Sequence, residues 1–472
     1  MSGNINIGGR MERLPLSSFQ WRMFALLGIG MFFDGYDLFI SSFVIPPLKE
    51  IGWLNSNSMV YFISVPLVAA AFGSVAAGIL GDRIGRRRLF QGNVVAYGIG
   101  SVLCAVAPNV ELLLAARSFT MFALGMQIVT GYSYMNEMTS RAVRGRFQSG
   151  VSLLVNGGLP VAALAAGLVI PNAALDMGWR LLFALSVFPT LLVFLNQRSL
   201  PESPRWLASV GREAEADAVM RGIEEEVERK HGPLPTAIVA PQPARDLGWL
   251  SLIAPNTRSR FLVAVAFSIC QFCGIYILAN WLPSILIAHG MTFLKSFMFS
   301  AATFAGAIAG PLIAIAISDR FERRNVVLGA TTIAGLAGMV YALQTTEAGL
   351  LVSGFVLVAC VYFLSSVGLA TYLPEILPTG VRLRGLGSAF LIGRLASAAS
   401  PFAVAALLPV VSDPLVIVSI VGLLYLIMAV VIGLFGPVTA GKSLEMLETE
   451  LNTSGEKSDS LVGLNRRVEA GL

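Results

Sequence analysis

Long apolar runs recur along this chain, separated by short polar connections, and a run of about 20 residues is what an α-helix needs to cross about 30 Å of hydrocarbon. Six runs lie near 20–46, 57–81, 88–107, 110–136, 147–170 and 178–199. A polar stretch from 200 to 257 interrupts, and six more runs follow near 258–287, 293–317, 325–344, 348–373, 386–408 and 414–436. The pattern predicts an all-α membrane protein of twelve transmembrane helices in two six-helix halves, residues 20–200 and 258–437. Segment 1–19 reads as a cytosolic N-terminal segment, 201–257 as a cytosolic linker with short helices, and 438–472 as a partly disordered cytosolic tail. Within the linker, "GREAEADAVMRGIEEEVERK" combines charge with apolar residues at helical spacing, which predicts a helix lying against the bundle.

Composition strengthens the membrane reading, since 55% of residues are hydrophobic and 13% charged, against roughly 25% charged in soluble domains. The net charge of +5 does not indicate nucleic acid, because the arginines cluster in connections between apolar runs. Alternate connections carry Arg83/Arg86/Arg87/Arg88, Arg141/Arg144/Arg146, Arg320/Arg323/Arg324 and Arg382/Arg384, whereas the others hold little beyond Lys49, Arg180 and Lys295. The Arg-rich side is expected to be cytoplasmic, with both termini on it. The first apolar run is too long, and lacks the cleavage pattern, for a secretory signal. Cys104, Cys270, Cys273 and Cys360 fall inside apolar runs and read as packing residues rather than disulfides or a metal site. His231 and His289 have no nucleophile or metal constellation beside them, and no GxxxxGK[ST] phosphate loop occurs, so neither an enzyme nor an ATPase is indicated.

"GILGDRIGRRR" (78–88) stands between the second and third spans, and a weaker copy, "SDRFERR" (318–324), stands at the equivalent place in the second half. An Asp at a helix end can accept from a neighbouring helix N-terminus and from Arg, making a charge network able to latch helices. Positive-inside anchoring accounts for the arginines but not for Gly78, Asp82 and Gly85. This motif resembles the major facilitator signature GxxxDRxGRRR, complete in the first half with Arg83 and Arg86, and degraded around Asp319 and Arg320, where Glu322 replaces a Gly. "EMTSRAVRGR", "LPESPRWL" and "PEILPTGVRLRG" are similar to cytosolic pieces of the sugar-porter and organic-ion branch. The resemblance runs from about Leu14 to Phe435. It implies the major facilitator fold in a bacterial inner membrane, with Glu137, Arg144, Glu202, Arg205, Glu375 and Arg384 in cytosolic salt bridges that hold the outward-open state.

Charges within hydrocarbon cost about 2.5–3.5 kcal/mol on the lenient insertion scale, so those present should face a cavity and have partners. "FFDGYDLFI" puts Asp34 and Asp37 on one face of the first span. Arg117 lies early in the fourth span and Arg394 inside the eleventh. Counting from Arg22, Asp34 and Asp37 lie about 18 and 22 Å up, and Arg394 lies about 15 Å above Arg384. Arg117 is about 30 Å above Glu137, and snorkelling would bring it to the level of Asp37. Asp37 with Arg117 fits a proton switch that alternates between paired-ionised and buried-neutral states, with a static ion pair as the alternative. In proton-coupled sugar porters the matching Asp and Arg are the coupling pair, and "DGYD" matches the DGxD motif of bacterial aromatic-acid:proton symporters, Asp34 included.

Arg394, in "IGRLASAASP", resembles the eleventh-span Arg of organic-anion carriers and suits bidentate carboxylate recognition; its alternative role is to neutralise Asp34. In the seventh span, "QFCGIYILANWLP" offers Gln271, Tyr276, Asn280 and Trp281. Its single Gln departs from the glutamine pair of sugar porters, and "NWLP" is closer to aromatic-acid and nicotinate carriers. Asn156, Tyr362, Ser365 and Tyr372 are further substrate-site candidates or helix-packing groups. "GSVAAG", "AALAAG" and "AGAIAG" read as places where helices approach closely.

The leading expectation is proton-coupled import of a small organic acid, aromatic or nicotinate-like, by alternating access, through a monomer needing no cofactor or metal beyond the coupling proton. The alternatives are a sugar or other metabolite carrier, uniporter or exporter of the same fold, and, more remotely, a ligand sensor.

Overall fold

The computed structural model describes residues 6–187, 200–237, 252–317, 321–377, 382–407, 410 and 413–437. Among these no strand occurs, and helices occupy all twelve expected positions. The first half contains Ser18–Glu50, Ser56–Ile84, Arg86–Ala105, Val110–Glu137, Arg141–Val169 and Leu175–Leu185. The second contains Pro255–Ala288, Phe293–Ile317, Arg323–Tyr341, Glu347–Ile376, Arg382–Leu407 and Val416–Phe435. Nine of the described helices are long and apolar enough to cross a membrane by themselves. Residues 188–199 and 438–472, with the predicted tail, lie outside the described residues, as do Asp319, Arg320 and the side chains of Arg144 and Arg384.

Two spans are less regular than expected. The eighth breaks at Ala305 into Phe293–Phe304 and Gly306–Ile317, and the tenth passes through a π-helical stretch, Ser365–Tyr372, before ending in Leu373–Ile376. Pro374 supplies the cause of the second: it has no N–H to donate, and its ring crowds the carbonyl four residues back, so the turn before it widens.

The two halves repeat one packing scheme. The first span pairs with the fifth and the second with the fourth, just as the seventh pairs with the eleventh and the eighth with the tenth. Glycine sets these approaches. A Cβ on Gly35 or Gly158 would strike the backbone of the other helix, as would one on Gly73, Gly125 or Gly310, so "GSVAAG" and "AGAIAG" do mark close crossings. Packing rather than a hydrophobic difference from lipid drives such contacts.

The halves meet through the second and eleventh, fifth and eighth, and first and seventh spans. The seam lies away from the arginine motifs: Tyr61 meets Phe402 with ring centroids 5.7 Å apart, Phe43 meets Phe297 at 5.4 Å, and Gly167 lies against Met298. Ser74 still reaches the eleventh span, but one turn nearer the motif a Cβ on Gly78 would meet nothing within 4 Å. Among the described residues the halves are therefore joined on the far side, while the space beside Gly78 on the motif side is open.

On the motif side, Pro204–Ser209 and Glu213–His231 form a cap, the second being the helix expected in the linker. Ala216, Met220, Ile223 and Val227 are its buried stripe. The N-terminal segment is more than a leader into the first span. It forms a helix, Ile7–Glu12, that buries Ile7 and Met11 on the cap, and Leu14 joins the same cluster.

Candidate functional site

Asp37 and Arg117 form an ion pair in the interior of the first half, 0% and 1% exposed, so neither charge is shared with bulk water. Arg117 Nη1 donates to Asp37 Oδ2, Nη2 donates to the carbonyl oxygen of Asp37, and Nε donates to Ser41 Oγ at 2.8 Å. Ser186, in the sixth span, donates to Asp37 Oδ1 at 3.2 Å. The guanidinium also lies 5.7 Å from the Phe183 ring centroid. The carboxylate is thus bonded at both oxygens, by residues of the fourth and sixth spans. Ser41 and Ser186 were not among the sequence candidates; the i+4 spacing of Ser41 from Asp37 was the available signal.

Asp34 is equally buried, yet its Oδ2 has no hydrogen-bond partner among the described residues. The alternative that Arg394 neutralises Asp34 does not hold here. Arg394 instead donates through Nη1 to Ser74 Oγ of the other half and lies 5.7 Å from the Phe272 ring. Depth reckoned from rise per residue carries no lateral information.

Arg394 is half-buried, and no carboxylate pairs with it among the described residues. Tyr276 is within electrostatic reach, and Tyr362 lies beside Tyr276 with its hydroxyl unpartnered. A cation, two phenols and the Phe272 face therefore border one region between the halves.

The other candidates divide. Gln271 is consumed by the protein: Nε2 donates to Val361 O at 2.7 Å and Ser365 Oγ at 3.0 Å, while Oε1 accepts from Tyr425 at 3.2 Å. Its role is to join the seventh, tenth and twelfth spans, not to meet a solute. Tyr372 is removed from the site altogether, since its hydroxyl donates to Pro437 O at the motif-side end. Trp281 is enclosed with Nε1 unpartnered, and Asn280 Nδ2 donates to Tyr276 O, 3.0 Å away on its own helix. Asn156 is half-buried and donates to Ser152 Oγ at 3.3 Å.

At the motif, Arg86 is the centre. Its Nε donates to Glu137 at 2.9 Å, and its Nη1 to Asp82 at 2.9 Å and Gly81 O at 2.6 Å. Glu202 was expected to bridge to Arg; instead its Oε1 accepts from the backbone N–H groups of Arg86 and Arg87, each at 3.0 Å, capping the third span where the helix dipole favours an anion. Gly85 is required by a φ of 95° and by Glu202 and Trp206, which stand where a Cβ would go. Asp82 is 76% exposed, and Arg83 is exposed as well. Arg205 pairs with Glu12 at 2.7 Å, and Glu375 pairs with Arg323. All of these ties stay within one half, so among the described residues none bridges the halves.

The cap is fixed by a clasp. Arg10 reaches Glu224 at 2.5 Å and Asp217 at 2.6 Å, and Arg13 reaches Glu224 at 2.6 Å. Burial pushes the Glu224 carboxyl up, but bonds from Arg10 and Arg13 outweigh it and hold the group below the usual range. Asp217 is lowered through its bond from Arg10.

Two helical halves with parallel packing schemes and an ion pair buried within the first half fit a membrane solute carrier. The chain belongs to the family "Sugar (and other) transporter", whose model matches residues 23–451, and is a multi-pass membrane transporter of the major facilitator superfamily. It is 31% identical over 453 residues to the inner membrane metabolite transport protein YdjE of Escherichia coli, covering 94% of this chain and 99% of that one. It is 28% identical over 453 residues to the niacin transporter NiaP of Acinetobacter baylyi, covering 94% and 100%. Among solved structures, the inward-open xylose transporter XylE from Escherichia coli superposes with a TM-score of 0.73 at 19% identity, covering 91% of this chain and 99% of that one.

Proposed function

We propose that this transporter carries a small organic monocarboxylate, aromatic or nicotinate-like, into the cell together with protons, from an inner membrane in which the motif side faces the cytosol. The observation that carries the substrate class is Arg394: half-buried between the halves, flanked by Phe272 and Tyr276, and free of any carboxylate among the described residues. A desolvated guanidinium favours a planar anion that can satisfy two of its donors and stack on a ring. The niacin transporter among the relatives is consistent with this. Gln271, already saturated by protein partners, leaves fewer free donors for a neutral sugar.

Proton coupling rests on the first half. Asp37 is paired with Arg117, and Asp34 lies one turn away with its Oδ2 unpartnered among the described residues, where an uncompensated charge is costly. The two carboxyls thus offer one seat paired with a cation and one without, and proton exchange at them is tied to rocking of the halves.

The test is proton movement in reconstituted vesicles challenged with benzoate-like acids, nicotinate, sugar acids and neutral sugars. Alkalinisation triggered by an acid, lost in Asp37→Asn and in Arg394→Ala, supports the proposal. A response confined to neutral sugars, or acid flux without protons, overturns it.

A further inference from the structure

The first half contains a second group of buried polar atoms that the Asp37–Arg117 pair does not use. Asp34 Oδ2 in the first span, Asn93 Nδ2 in the third, and both Oε1 and Nε2 of Gln127 in the fourth have no protein hydrogen-bond partner among the described residues. Their side chains are at least nine-tenths buried, at 2%, 2% and 0% exposure.

Helix contacts bring them to one level. Met31 lies against Gly131; Asp34 is three residues beyond Met31, and Gln127 four residues before Gly131 on the antiparallel fourth span, so they stand about 4.5 and 6 Å to the same side of that contact. Gly100 lies against Thr120; Asn93 and Gln127 are each seven residues, about 10.5 Å, toward the motif from there. Direction agrees with height. At 3.6 residues per turn, Gln127 is about 20° around its helix from Thr120, which faces the third span, and about 40° from Gly131, which faces the first. It therefore lies on the face of the fourth span that also carries Thr120 and Gly131 and meets the third and first spans. On the motif side Met31, Phe90 and Tyr134, all buried, close the junction.

Buried polar atoms are almost always bonded, by protein or by ordered water, and a polar site with two to four partners is what an internal water requires. We propose that Asp34, Asn93 and Gln127 enclose a water-binding chamber inside the first half, and that Gln127 is the positioning residue for proton exchange at Asp34. Its carbonyl accepts from a chamber water while its amide donates to another. A hydronium held at Gln127 Oε1 passes its proton to the Asp34 carboxylate and remains as water; the reverse step releases the proton. The titratable groups within electrostatic reach of Asp34 are Asp37 of its own span, itself paired with Arg117 of the fourth, and Tyr97 of the third, whose hydroxyl donates to Ser186 O at 3.1 Å. This chamber rests on the proton-coupled reading given above.

Two measurements test it. X-ray hydroxyl-radical footprinting of the full-length transporter should oxidise Met31, beside the chamber, several-fold faster than Met23 and Met135, which are equally enclosed in the apolar cluster of the same half. Equal protection of all three overturns the chamber. Net proton-driven uptake should fall about tenfold or more in Gln127→Leu while substrate counterflow, which needs no net proton release, continues; Gln127→Glu, which keeps a proton-handling oxygen, should restore part of the uptake. Unchanged uptake in Gln127→Leu, or parallel loss of uptake and counterflow with no recovery in Gln127→Glu, overturns the role of Gln127. Asp34→Asn run alongside separates the layers: net uptake that survives it refutes coupling through Asp34 itself, whereas uptake lost in Asp34→Asn but kept in Gln127→Leu refutes the role of Gln127 alone.

Discussion

Arg117 grips Asp37 twice, through the side-chain carboxylate and through the carbonyl oxygen of the same residue. The second bond, with that to Ser41, ties Arg117 to the first span independently of the Asp37 carboxylate.

Breaking this pair from one side should cost more than deleting it. Arg117→Ala leaves Asp37 buried without its counter-charge, a loss of about 3–5 kcal/mol, whereas Asp37→Asn with Arg117→Gln removes both charges and recovers part of it. Thermal unfolding in detergent, comparing the single with the double variant, checks this; equal losses would mean that the pair contributes packing alone.

Arg394→Lys keeps the charge but not the planar fork. Apparent affinity for a carboxylate solute should fall about tenfold or more, corresponding to roughly 1.4 kcal/mol or more, with less effect on protein stability. Binding measured by titration calorimetry against Arg394→Ala distinguishes loss of charge from loss of geometry.

Gly78 stands one turn from Ser74, on the face that meets the eleventh span, with open space beyond it. Gly78→Val should therefore leave the unfolding temperature of this state nearly unchanged while slowing turnover several-fold, since closing the motif side brings the eleventh span toward that position. Stability and transport rate measured on one preparation decide it.

The clasp predicts a pH dependence. Glu224 is held below its usual range, so its ion pairs contribute stability above the unfolded-state value and lose it as pH falls through the lower, folded value. Limited proteolysis of residues 1–17 should quicken on acidification below about pH 4, near the ordinary Glu range. Glu224→Gln should show quicker cleavage already at neutral pH, with little further change on acidification.

Much of this fold could be read from apolar run lengths, because each span must satisfy its backbone within itself and so announces its own length. The Asp37–Arg117 pair was legible for a related reason: charges in hydrocarbon are few, and they seek one another. Rise per residue gives depth only, and the neighbours around each helix decide the rest. Asp34 and Arg394, reckoned to similar depth, do not pair, and Gln271 is bonded by Val361, Ser365 and Tyr425, which no local pattern around Gln271 reveals. Tyr372 is different. It lies three residues before Glu375, within about 5 Å of the span's end, so the same arithmetic already excluded a midplane role. The orphaned amide of Gln127 was visible as a polar residue in the fourth span, but only the three-helix junction shows that the protein leaves it unsatisfied.

The far-side seam includes aromatic rings, Tyr61 on Phe402 and Phe43 on Phe297, and among the described residues one hydrogen bond, from Arg394 to Ser74, crosses the halves nearby. Opening it wets aromatic surface, and such exposure carries a positive heat-capacity change. The balance between the two access states therefore bends with temperature: the enthalpy of opening rises on warming, and cooling weakens the apolar hold that keeps the far side shut.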